Sequence, residues 1–182
     1  MQTLARSITV LAWVNLAIGR ALSWLSLGVV LVCFAVVVLR YGFNMGHVWM
    51  QDLYVWLNAA MFTGVAGYTF LRNGHVRVDI FYRPASLRAK AWVDLFGTLV
   101  FLIPFVVVVI VWSWPYVAES WVIRESSRNA GGLEGLFIIK SFLIVFAGSV
   151  GLQGLAVAGR SILVLGGRSD LIPPTLEYEG AH

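Results

Sequence analysis

The chain has 182 residues, of which 59% are hydrophobic and only 12% charged, whereas a soluble domain carries about 25% charged residues. The net charge of +4 is spread along the chain without any nucleic-acid-binding motif, which excludes nucleic acid as a partner. The single cysteine, Cys33, lies inside an apolar run, so no disulfide or thiol relay forms within the chain.

The N-terminal stretch of residues 1–20 has an early Arg6 and an apolar middle, like a secretory signal. Asn15 and Arg20 interrupt the apolar part, however, and no small-residue cleavage site follows, so it is read as retained. Leu11 and Trp13 set against Arg6, Ser7 and Arg20 predict a helix lying in the plane of the membrane interface; a frayed tail is the alternative.

Four apolar runs follow, at residues 21–39, 52–71, 92–117 and 136–157, each long enough to cross a hydrocarbon core of about 30 Å. The expected fold is an all-α integral membrane protein with four transmembrane helices. The third run contains Pro104 and Pro115 and exceeds what a perpendicular helix needs, which predicts tilt or a kink. No repeat or linker divides residues 1–165, read as one domain. Residues 166–182, with paired glycines, paired prolines and a polar end, are expected to form a mobile tail.

Basic residues near span ends stay on the cytoplasmic side. Arg6, Arg20, Arg72, Arg77, Arg83, Arg88, Lys90, Arg160 and Arg168 fall on one side, and Arg40, Arg124, Arg128 and Lys140 on the other. This asymmetry places both termini and the 72–91 loop in the cytoplasm, and the 40–51 and 118–135 loops outside. The belt holding His75, Arg77, Asp79, Arg83 and Trp92 then lies at the cytoplasmic surface, where Arg and Trp meet lipid headgroups.

Small residues at helical spacing mark contact faces inside a bilayer. Ala59, Thr63 and Gly67 form one such seam in the second span; Ala147, Gly151, Gly154 and Ala158 form another in the fourth. Asn58 and Gln153 are the strongly polar side chains deep inside a span, and each is expected to bond to a neighbouring helix. His47, His75 and His182 fall in loops or the tail, so the chain has no axial haem ligand at membrane depth. With carboxylates confined to span ends and loops, an ion relay is equally unsupported. The inventory implies no catalytic residue, no metal ligand and no cofactor, and a subunit that works through a partner.

Four segments then fall in order on this topology: "RYGFNMGHVWMQDL" after the first span, "GYTFLRNGHVRVDIFYR" after the second, "ESWVIRESSRNAGGLEGLFIIKS" before the fourth and "LQGL" near its end. Together they resemble the small permease subunit of tripartite ATP-independent periplasmic (TRAP) transporters over about residues 21–165. The "GHVRVD" and "GGL" elements resemble the subgroup associated with organic acids. Asp52 departs from the glutamate many relatives carry there, keeping the charge with a shorter reach.

The resemblance implies a multi-pass protein of the bacterial inner membrane that works with a large permease subunit and a periplasmic substrate-binding protein. The coupling cation, usually sodium, would bind in the large subunit. This chain would brace the large subunit and help present the docking surface. In that setting Arg40 would reach headgroup phosphates, Asp52 or the partner, or simply snorkel. Glu119, Arg124, Glu125 and Arg128 form a mixed-charge outer loop suited to periplasmic docking or merely solvated, and Lys140 would snorkel toward it. Gly131 and Gly132 would permit the turn into the fourth span. The competing reading is a free-standing four-span assembly or anchoring protein without a transport role.

Overall fold

The computed structural model describes residues 1–76 and 80–178. Among these residues seven α-helices run in chain order: α1 (Gln2–Ser23), α2 (Leu25–Gly42), α3 (Val48–Gly64), α4 (Ala66–Leu71), α5 (Leu87–Gly97), α6 (Ile103–Val122) and α7 (Leu136–Leu165). The described residues contain no strand, only an isolated antiparallel bridge between Ser126 and Glu134.

Among the described residues, three stretches are long and apolar enough to cross a membrane: Gln2–Gly42, Leu87–Val122 and Leu136–Leu165. The second predicted span is present as α3 and α4, 17 and 6 residues long, interrupted at Val65. Two close approaches surround this break. A Cβ on Gly64 would overlap the Leu22 side chain, and one on Gly67 would lie 2.7 Å from the Ser149 carbonyl oxygen.

The organising element is α7. Helix α1 runs antiparallel along its C-terminal two thirds: Met1 approaches Gly166, Ile8 fills the space left by Gly159, and Asn15 meets Gln153. This corrects the expectation of a helix lying flat in the interface. Ile8, Ala12, Asn15 and Gly19 recur at steps of four, three and four, and all are buried against the bundle. The interfacial reading rested on Leu11 and Trp13, and Trp13 is indeed exposed, but the buried stripe is a helix-packing face. Only Trp24 separates α1 from α2, and its backbone keeps right-handed helical angles (φ −65°, ψ −19°). Helix α2 buries no residue of its own and folds back on α3, where Gly28 comes against Leu57.

On another side of α7, α5 and α6 run antiparallel, joined by a five-residue π-helical segment, Thr98–Leu102. Pro104 follows two residues later. A proline removes an N–H and crowds the carbonyl four residues back, and widening the preceding turn relieves both. The irregularity expected of the third span is therefore a wide turn at this point. Pro115 is accommodated inside α6.

Residues 166–178, expected as a mobile tail, fold back onto the bundle through two 3-10 turns, Ser169–Leu171 and Pro174–Leu176. Leu176 joins a core with Ile8, Ala12, Leu71, Ala156 and Leu163, while Tyr178 packs with Ala91 and Val164. Each adjacent proline fixes its own φ and lowers the entropy lost on docking, so two buried anchors hold the segment. Residues 179–182 lie outside the described residues.

Candidate functional site

The helices bring polar groups together at three levels of the bundle. At one end, Asp52, five residues into α3, organises the loop between α6 and α7. It accepts hydrogen bonds from the Asn129 side-chain amide (2.8 Å) and the Leu133 backbone N–H (3.1 Å). Gly132 is the residue that makes this possible, since a Cβ there would overlap the carboxylate. The tight backbone angles fall instead at Gly131 (φ +76°) and at Gly135 (φ +111°), which precedes α7. Of the two glycines expected to form the turn, Gly131 supplies a reversal and Gly132 supplies room for Asp52.

Beside this knot, Glu125 accepts from Ser120 Oγ (2.8 Å) and pairs with Lys140, whose ammonium lies 3.9 Å from the Tyr116 ring centroid. The Lys140 hydrogen bond, helped by that from Ser120, holds the Glu125 carboxyl below the usual glutamate range. Lys140 turns toward the loop carboxylate Glu125. Arg124 sits at a positive φ of 49° with its guanidinium over Trp121 and Phe137, at 5.6 and 5.3 Å. Glu119 and Arg128 are exposed on the same loop region. Arg40 is also exposed, and the Asp52 oxygens are taken by Asn129 and Leu133, so the Arg40–Asp52 pairing considered from the sequence does not form.

The middle level carries a buried amide pair. Asn15 Nδ2 donates to Gln153 Oε1 at 3.2 Å, and both residues are 1% exposed. The expectation that Gln153 bonds to a neighbouring helix holds, with α1 as that helix. Asn58 differs: it is exposed on α3 and makes no hydrogen bond among the described residues.

At the other end, Arg160 of α7 donates to Asp94 of α5 at 2.5 Å and to the Leu176 carbonyl at 3.2 Å, and stacks on the Tyr178 ring at 3.8 Å. Tyr82 also donates to Asp94, at 2.9 Å, and burial pushes its phenol well above the ordinary tyrosine value. This latch ties α5, α7, the 80–86 turn and the C-terminal segment together beside a cavity of about 500 Å³. Sequence reading counted Arg160 only among the basic residues of the cytoplasmic side and placed Asp94 at a span end. The available signal was that the third and fourth spans are antiparallel neighbours with opposite charges at the same end. His75 approaches the Ala66 carbonyl at 3.4 Å, Arg83 is exposed, and Trp92 is 61% exposed. Arg77 and Asp79 lie outside the described residues.

The small-residue seams divide in two. Ala147 is fully buried and Ala158 nearly so, Gly151 faces Val106, and Gly154 leaves room for Leu102. With Gly67 against Ser149, these five serve contacts inside the chain. Ala59 and Thr63 instead line an open groove of about 360 Å³ with Tyr116, Ile139, Lys140 and Leu143.

No cluster of three or more His, Cys, Asp or Glu side chains that could hold a metal occurs among the described residues. The polar groups fasten helices and loops to one another. Such an arrangement suits a membrane subunit that presents fixed surfaces, and over residues 29–163 the chain matches the family described as "Tripartite ATP-independent periplasmic transporters, DctQ component". The chain belongs to that family. It is thus a TRAP transporter small permease component, a membrane protein and not an enzyme. No curated protein and no solved structure matches it.

Proposed function

We propose that this DctQ-family chain is the accessory inner-membrane subunit of a cation-coupled TRAP transporter for organic acids. It braces the large permease and helps dock the periplasmic binding protein. The family match over residues 29–163 carries this reading. In it, four segments cross the bilayer, the second being α3 with α4, and both termini face the cytoplasm. Coupling, by sodium, belongs to the large subunit, and this chain holds no cofactor.

The loop of residues 123–135 supports the docking role. It is tied down at Asp52, Lys140 and Ser120, yet leaves Arg124 and Arg128 exposed. A pre-ordered charged surface steers a soluble partner without a large ordering cost. In the same reading His75, Arg83 and Trp92 meet lipid at the cytoplasmic face, and Arg40 meets headgroups or the partner.

Reconstitution tests the proposal. In liposomes with a sodium gradient, the chain alone gives no organic-acid uptake, and uptake begins when the large subunit and binding protein are added. Uptake by the chain alone, or equal uptake by the other two components without it, would overturn the assignment.

A further inference from the structure

Asn58 has no place in the packing described above. It stands ten residues into α3 and thirteen before the end of α4, about 15 and 20 Å from the two ends at 1.5 Å per residue. That is mid-depth for a segment crossing a core of about 30 Å. Its amide offers two donors and two acceptor sites, and lipid chains can satisfy none of them. Asn58 is nonetheless exposed, flanked on the same helical face by Val55 (52% exposed) and Phe62 (75% exposed). One step around α3 lie Ala59 and Thr63, the wall of the 360 Å³ groove that opens onto the N-terminal part of α7. This part of α7 buries nothing before Ala147. The Thr63 hydroxyl is turned back onto the Ala59 carbonyl (2.7 Å), so the wall itself is apolar and small.

We infer that this face of α3, with Asn58 at its centre, is where a transmembrane helix of the large permease subunit docks. The inference rests on the functional reading above and adds where the brace attaches. The occupant is a protein because Asn58 needs a hydrogen-bonding partner that hydrocarbon lacks. It is the large subunit and not a second copy of this chain, since a two-fold pairing would set groove against groove and leave both hollow. A convex helix fills the groove between Ala59 and Leu143 and brings a polar side chain or an exposed backbone carbonyl to the Asn58 amide. Close approach along Ala59 and Thr63 requires small residues on this wall, as their sequence spacing suggested.

The test uses the full chain co-expressed with the large permease and extracted in mild detergent. Asn58→Leu lowers recovery of the large subunit by about threefold to fifteenfold, the range of a single interhelical hydrogen bond. Asn58→Gln restores most of it. The thermal midpoint of the isolated chain stays unchanged in both variants, because Asn58 makes no hydrogen bond among the described residues. A photocrosslinker at Phe62 captures the large subunit, and one at Val111, exposed on another face of α6, does not. Wild-type recovery with Asn58→Leu, or capture of a second copy from Phe62, overturns the inference. Capture of the large subunit from Val111 but not Phe62 refutes this face while leaving the subunit role intact. If the unmodified chain retains no large subunit at all, the functional reading fails first, and this inference with it.

Discussion

At the scale of single residues, close approach decides more here than hydrophobicity does. Gly67 illustrates this. A Cβ there would meet the Asn15 side-chain oxygen at 2.6 Å and the Ser149 carbonyl at 2.7 Å. A backbone carbonyl inside a helix cannot step aside, so Gly67→Ala forces α4 away from α7 and costs on the order of 1–3 kcal/mol. Gly148, on the central helix α7 itself, would have nothing within 4 Å of an added Cβ. Gly148→Ala is expected to be neutral or slightly stabilising, because alanine is the better helix former. Thermal unfolding in one detergent compares the two directly, and equal losses would refute the seam assignment. Glu125 supplies a pH signature. Its folded-state pKa is depressed, chiefly by the Lys140 hydrogen bond. Its stabilisation is therefore complete above the unfolded glutamate pKa of about 4.3 and fades as pH falls through the lower folded value. Glu125→Gln should lower stability near pH 7, where the carboxylate is ionised and paired, and flatten the acid limb so that the two profiles converge at low pH; an unaltered acid limb would show that the pair does not form.

At the scale of elements, the two chain ends carry more of the fold than their composition suggests. Helix α1 inserts Ile8, Ala12, Asn15 and Gly19 against α7 and α4, and the C-terminal segment inserts Leu176 and Tyr178. Both ends converge in one cluster, where Ile8, Ala12, Leu163 and Leu176 lie together. Truncation after Leu171 removes both tail anchors and leaves Arg160 without its Leu176 and Tyr178 contacts, while Asp94 remains. The expected result is a still-inserted chain with a lower thermal midpoint and faster proteolysis near Arg160. Arg160→Met, which strands the Asp94 carboxylate in a part-buried site, should be more damaging than the truncation, at about 3–5 kcal/mol if the pair behaves as buried. A truncated chain as stable as the full one would mean that the tail contacts contribute nothing net. The π-helical segment Thr98–Leu102 belongs to this scale too, since it arises from the helix register around Pro104 rather than from any one side-chain contact.

For the whole molecule, the charge asymmetry makes a directional prediction that is separate from the family relationship. Ala89 lies at the Arg160 end of the bundle and Ala130 in the loop held by Asp52, and both are exposed. In a Cys33→Ala background, a membrane-impermeant thiol reagent applied to intact cells should label Ala130→Cys and spare Ala89→Cys until the membrane is opened. The reverse pattern would invert the proposed topology. Labelling of both in intact cells would mean that the segment between them does not separate two compartments.

Much of the molecule could be read from composition and spacing. Long uncharged runs can satisfy their backbone only as helices in a membrane, so the helical class and the apolar stretches followed directly. The ordered segments from "RYGFNMGHVWMQDL" to "LQGL" carried the family resemblance, and the family match confirms it. Partner choice among helices was not legible, because small-residue spacing marks a close contact without saying with what. Gly67, Gly151 and Gly154 proved to serve contacts within the chain, whereas Ala59 and Thr63 were left open. The stripe of α1 had the same ambiguity: a face with Asn15 and Gly19 in it can lie on a membrane surface or against another helix. Only the tertiary arrangement, in which Gln153 answers Asn15 and Gly159 makes room for Ile8, decided for the second. The Arg160–Asp94 latch and the docked tail have the same origin. Each depends on groups distant in sequence meeting at one end of α7, and one-dimensional periodicity shows a helix's apolar face but not what covers it.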